Sequence, residues 1–159
     1  MKIPDNVQVG HIHLSVSNLE QALGFYRDLL GFTVTSWYGS EAVFLSAGGY
    51  HHHIGLNTWQ SKNGQPAPFG STGLYHVAFL YPTRKDLAQA VRTLLEAGYP
   101  LDGTADHGVS EAVYLRDPDG NGVELYVDRP RSEWAIRPDG SIEMVTIPLD
   151  LEDLMAALA

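Results

Sequence analysis

An internal repeat limits how this chain can fold more than any other feature of its sequence. "HIHLSVSNL" alternates, with Ile12, Leu14 and Val16 facing one way and His11, His13, Ser15 and Ser17 the other, as in a half-buried strand. "NLEQALGFYRDLLGF" then places Leu19, Ala22, Leu23, Tyr26, Leu29 and Leu30 at helical spacing, with Asn18 as cap and Gly31 at the C-terminal end. "TVTSWYG", "AVFLSAG" and "HHHIGLNTW" read as three strands between glycine-rich turns. The same βαβββ pattern restarts further on. "LYHVAFLYP" is a strand, "TRKDLAQAVRTLLEAGY" a helix capped by Thr83, and "LDGTADHG" a poorly formed strand. "EAVYLRDPDGNGVELYV" closes the second copy as a hairpin around "DPDGNG". His76 follows His11 by 65 residues and Leu125 follows Leu56 by 69, each pair at matching points of its copy.

These readings predict an α+β chain with module one at about 8–59, a linker at 60–73, module two at about 74–128 and a tail at 129–159. The linker carries two prolines and three glycines and no apolar period. In the tail, "LDLEDLMAALA" is an amphipathic helix, started by Asp150 or Asp153 and expected to dock on the domain. At 159 residues the expectation is one domain, large enough to bury a core without staples. The chain has no cysteine, which removes disulfides, thiolate metal sites and cysteine nucleophiles. Its formal charge of −9 disfavours nucleic acid as a partner. The stretch "MKIPDNVQVG" has no apolar core of a signal peptide, and no run is apolar enough to span a membrane. A soluble, cytoplasmic protein is the expectation.

The candidate chemistry sits at repeat-equivalent positions. His11 and His76 head the first strand of each module, and imidazole is a good ligand for iron, zinc and manganese. Glu124, in "GNGVELYV", is costly in a central strand unless it is paired or coordinating. Two histidines and one carboxylate from three strands make the facial set used for non-haem iron(II). Taken singly, each is more often a hydrogen-bonded strand residue; their equivalence across the repeat favours a metal. The offset of 69 maps Glu124 onto Gly55, so a fourth corner lacks a ligand and the site stays open, which suits catalysis.

"GHIHLSVSNLEQALGFYRDLLGF", "LYHVAFLYPTRKDLAQA" and "SEAVYLRDPDGNGVELYVDRPR" resemble the vicinal-oxygen-chelate superfamily of glyoxalase I, bleomycin-resistance proteins and extradiol dioxygenases. Over about residues 8–134 the chain is most similar to ring-cleaving enzymes of the catechol 2,3-dioxygenase group. The resemblance implies two modules paired into one curved mixed sheet. It implies Fe(II) on His11, His76 and Glu124, with Mn(II), Zn(II) or Ni(II) as other metals, and it selects His11 over His13. It further implies a histidine acting as base and then acid on the substrate, with His107 and Tyr114 near the final hairpin. Strand alternation counted from Gly55 favours His53 or His51 as that base, whereas the family pattern selects His52. His13 is then a supporting or merely polar residue, and His51 a solvent-edge one. Trp37, Trp59 and Phe69 are apolar candidates for lining the pocket.

The implied partners are a small aromatic substrate and O₂, and the implied assembly a homo-oligomer. Two rivals remain at this point. One is another metal-dependent member, a glyoxalase-type isomerase or lyase or a thiol-transfer resistance enzyme. The other is a binding protein that sequesters a planar drug without turnover.

Overall fold

The computed structural model describes residues 2–159. They form two compact units, one up to Pro68 and one from Phe69 onward. The first contains β1 (Ile12–Ser15), α1 (Leu19–Leu23), β2 (Thr33–Tyr38), β3 (Ala42–Ser46) and β4 (Ile54–Asn57). The second contains β5 (His76–Leu80), α2 (Arg84–Glu96), β6 (Gly103–Asp106), β7 (Ser110–Arg116), β8 (Gly122–Asp128) and α3 (Leu151–Ala156). Both repeats of the βαβββ pattern are therefore present, and the class is α+β. The strands close their ladders inside each unit, giving two four-stranded sheets where one continuous sheet was expected. The two orders are equivalent, β1-β4-β3-β2 and β5-β8-β7-β6. In each, the first and last strands of the module run parallel, side by side.

Local chemistry explains the helix starts. The Asn18 side chain accepts from the Gln21 N–H, and the Thr83 side chain from the Asp86 N–H, supplying two otherwise orphan donors with partners. After α1 the backbone widens into a π-helical turn over Gly24–Leu29, which keeps Phe25 and Tyr26 fully buried. Leu87, Val91 and Leu94 form the buried stripe of α2 that the spacing predicts. In the β7–β8 turn, the Asp117 carboxylate accepts from the N–H groups of Asp119 and Asn121 and from the Asn121 amide.

Two expectations change. "HHHIGLNTW" is a strand only from Ile54 to Asn57; His51 and His52 lie in the bend before it, and the His53 backbone bonds Leu45 and Ile12 just outside the strand. The β3–β4 register is regular, so no bulge shifts the facing of β4. In the tail, Asp150 rather than Asp153 caps α3, accepting from the Glu152 and Asp153 N–H groups. The helix docks as expected. Leu154 is fully buried, and Arg84 of α2 bonds Asp153 at 2.6 Å and Glu111 at 2.6 Å. No helix among the described residues is long and apolar enough to cross a membrane.

Candidate functional site

Within the second unit, the parallel pairing of β5 and β8 sets His76 opposite Gly122 and Ala78 opposite Glu124. A Cβ on Gly122 would lie 2.1 Å from the Tyr75 carbonyl oxygen, so only glycine lets β5 approach this closely. That approach brings His76 Nε2 to 2.9 Å from Glu124 Oε2. A carboxylate can only accept, so the His76 ring donates to it through Nε2–H. Nδ1 is buried and has no hydrogen-bond partner. An unpartnered buried imidazole nitrogen costs about 1–3 kcal/mol, which marks a site shaped by something other than stability.

Glu124, only 9% exposed, extends the cluster. The Tyr114 hydroxyl lies 3.4 Å from Glu124 Oε1 and 2.6 Å from His107 Nε2. Desolvation, and then the neighbouring Glu124 charge, push Tyr114 up to about 12, so it is a neutral phenol at physiological pH. His76, Tyr114 and His107 line a cleft of about 450 Å³, together with Thr104, Ala105 and Thr146. That volume suits a small ligand.

The histidine run lies in the first unit. His52 sits with its ring 4.5 Å from that of His11 and 5.0 Å from Phe44. Its Nδ1 is 2.7 Å from His51 Nδ1, so His51 is a partner of His52 and not only a solvent-edge residue. Loss of hydration, then the nearby His11 and His51, hold His52 below the usual histidine value. His53 turns away: its Nδ1 accepts from the Ala47 N–H and lies 3.0 Å from Ser46 Oγ. The alternation argument for His53 fails because the run is a turn, where side chains do not alternate.

Gly55 is covered, not open. A Cβ there would lie 2.9 Å from Cγ of His13, the residue opposite it on β1. The His13 ring is also 5.5 Å from Trp59 and 5.8 Å from Phe44. Burial, and then His11, lower its affinity for a proton. The vacancy inferred from the repeat is thus filled by an imidazole from the adjacent strand. Trp37 and Phe69 are largely exposed, at 49% and 110%, and neither they nor Trp59 line the cleft of the second unit.

The structure therefore gathers His76, Glu124, Tyr114 and His107 in one unit and His11 with His52 in the other. Among the described residues, no three His, Cys, Asp or Glu side chains form a ready metal cage. The His76–Glu124 pair still suits a divalent cation: an imidazole and a buried carboxylate in contact, with no arginine or lysine neutralising the carboxylate in the contacts around it. Sequence reasoning passed over Val145 and Thr146, which reach His107. Their segment has no periodicity and no charge that would have flagged it.

Comparison with known proteins assigns the class. Residues 8–125 match the Glyoxalase/Bleomycin resistance protein/Dioxygenase superfamily, and the chain belongs to that family. It is 39% identical over 154 residues to a catechol-2,3-dioxygenase of Bacillus subtilis, covering 96% of this chain and 53% of that protein. It is 35% identical over 123 residues to biphenyl-2,3-diol 1,2-dioxygenase 3 of Rhodococcus globerulus, covering 76% of this chain and 63% of that one. The chain thus spans between half and two thirds of the length of these relatives. A glyoxalase/dioxygenase from Nostoc punctiforme has the same fold, with a TM-score of 0.66 at 20% identity over 82% of this chain and 97% of that one.

Proposed function

We propose that this chain is a non-haem Fe(II) extradiol dioxygenase that opens the ring of a catecholic aromatic and places both atoms of O₂ in the product. The observation that carries the reading is the His76–Glu124 contact, continued through Tyr114 to His107, with His76, Tyr114 and His107 lining the cleft. In this reading His11, His76 and Glu124 hold the metal, which supplies Lewis acidity and a route for electrons between substrate and O₂. Mn(II), Zn(II) or Ni(II) are the other metals this donor set accepts.

The remaining steps belong to the protein's own groups. His52 takes a proton from a substrate hydroxyl and later returns one, a role suited by an imidazole whose depressed pKa leaves it neutral before substrate arrives. His107 and Tyr114 act together on a substrate oxygen, Tyr114 touching it as a neutral phenol and His107 acting through its bond to Tyr114. Ala105, Leu115 and Val123 give the cleft apolar surface beside its polar groups, and its size admits a small aromatic ring. We take the chain as a single cytoplasmic domain of two modules that works as a homo-oligomer. The similarity to the two dioxygenases supports this reading over an isomerase, a thiol transferase or a drug-sequestering protein.

The test is anaerobic loading with Fe(II), followed by a panel of catechols and then oxygen. Extradiol cleavage yields a yellow ring-opened semialdehyde. A metal-loaded protein that gives no colour with any catechol contradicts the proposal.

A further inference from the structure

The outer edge of the second sheet carries a contact that no role above requires. β6 is the edge strand of that sheet, and the tail runs along it. The Asp106 N–H donates to the Ile147 carbonyl at 2.8 Å, and the Ile147 N–H to the Asp106 carbonyl at 3.0 Å. The Val145 N–H donates to the His107 carbonyl at 3.1 Å, and the Thr104 hydroxyl to the Leu149 carbonyl at 3.0 Å. The tail thus behaves as a short added strand on an otherwise open edge. Leu149, which is buried, and docked α3 anchor its far end.

A further bond from this added strand goes to a histidine of the cleft. His107 Nδ1 lies 2.7 Å from the Val145 carbonyl oxygen, with the Thr146 hydroxyl at 3.3 Å. A carbonyl oxygen can only accept, so Nδ1 carries the proton. In the neutral ring Nε2 then bears the lone pair, because the partner of one imidazole nitrogen sets the state of the other. Nε2 is 2.6 Å from the Tyr114 oxygen, whereas Glu124 is 3.4 Å from it. The single proton of Tyr114 therefore goes to His107, and the phenol oxygen turns its lone pairs to the cleft.

We propose that the tail is a positioning element, in which the Val145 carbonyl fixes the tautomer of His107 and thereby makes Tyr114 a hydrogen-bond acceptor toward the ligand. The ligand group that Tyr114 selects is one that still carries a proton, a hydroxyl and not an ionised oxygen. It also leaves Glu124 without the Tyr114 proton and with its charge available. The place of His107 and Tyr114 in a reaction rests on the function proposed above; the tautomer does not.

The test is long-range proton–nitrogen NMR of the histidine side chains in the full, metal-free chain. The expected spectrum has a protonated Nδ1 and an unprotonated Nε2 on His107. A wild-type His107 protonated on Nε2 overturns the proposal by itself. Val145→Pro with Ile147→Pro removes both N–H donors of the tail, and loss of hydrogen-exchange protection at the Asp106 amide reports its release. With the tail released, His107 is expected to shift to the Nε2–H form; an unchanged tautomer overturns the proposal. Thr146→Val is expected to leave the tautomer as it is, because the carbonyl at 2.7 Å is the holder; a shift in that variant overturns the assignment to Val145. The readout uses neither metal nor substrate, so a failed dioxygenase assay leaves it intact.

Discussion

The parallel strand pairs of the two sheets differ at one equivalent step. In the second sheet Ala78 stands opposite Glu124, and in the first His13 stands opposite Gly55. The register is the same, but the large and small members have exchanged strands. Where the carboxylate projects, its neighbour is a methyl group that leaves room beside it. Where the carboxylate is missing, an imidazole folds over the bare glycine and touches Trp59 and Phe44. Equivalent backbone thus does not imply an equivalent site: one module offers a charged donor, and the other covers the same place with an aromatic ring.

Removing the carboxylate breaks the comparison most severely. Glu124→Ala is expected to lower metal affinity by more than the roughly 100-fold typical of losing an outer-shell partner. Elemental analysis after Fe(II) loading and dialysis checks this, and retention of a full equivalent contradicts it.

The second sheet also carries a buried charge network that the first lacks among its described residues. Glu111, 5% exposed, binds both Arg84 and Arg129. Glu111→Ala takes one carboxylate partner from each of two arginines that keep Asp153 and Asp106, and is expected to cost about 1.5–3 kcal/mol in urea unfolding, the range for lost hydrogen bonds to charged groups. Wild-type stability in this variant shows the network to be incidental.

At the glycine, Gly55→Ala puts a Cβ about 2.9 Å from the His13 ring and is expected to cost about 1–3 kcal/mol. His13→Ala/Gly55→Ala copies the small neighbour of the second sheet and is expected to recover most of that loss. If the pair of losses simply adds, His13 does not cover Gly55.

The smallest effect is in pH. Tyr114 and Tyr81 are both raised to about 12, from a usual 10.0. Between those values the unfolded chain has lost the protons and the folded chain has not, so stability falls as pH rises through that window. A spectrophotometric titration is expected to show late-titrating phenols, one of which disappears in Tyr114→Phe. On the acid side His52 and His13 are lowered, so below the usual histidine value the unfolded chain binds more protons and stability falls as pH falls.

Local chemistry was legible in the residues. Asn18, Thr83 and the "DPDGNG" turn announce their elements because caps and turns depend on side chains three or four positions away. The repeat was legible too, since it is a pattern in sequence, and Glu124 stood out as a carboxylate in a central strand. Three features were not. The turn at His51–His53 reads as strand because imidazoles run straight into an apolar segment. His13 reaches Gly55 across 42 residues of chain, a packing choice that alternation cannot see. The tail contact to His107 is made by a backbone carbonyl, a group every residue has, and so leaves no trace in residue identity.

The most direct measurement is turnover of a catechol by the Fe(II)-loaded chain under isotopically labelled dioxygen, with mass spectrometry of the product. The account predicts a ring-opened semialdehyde carrying both labelled oxygen atoms. A product with one labelled atom or none, or a catechol recovered intact, contradicts it.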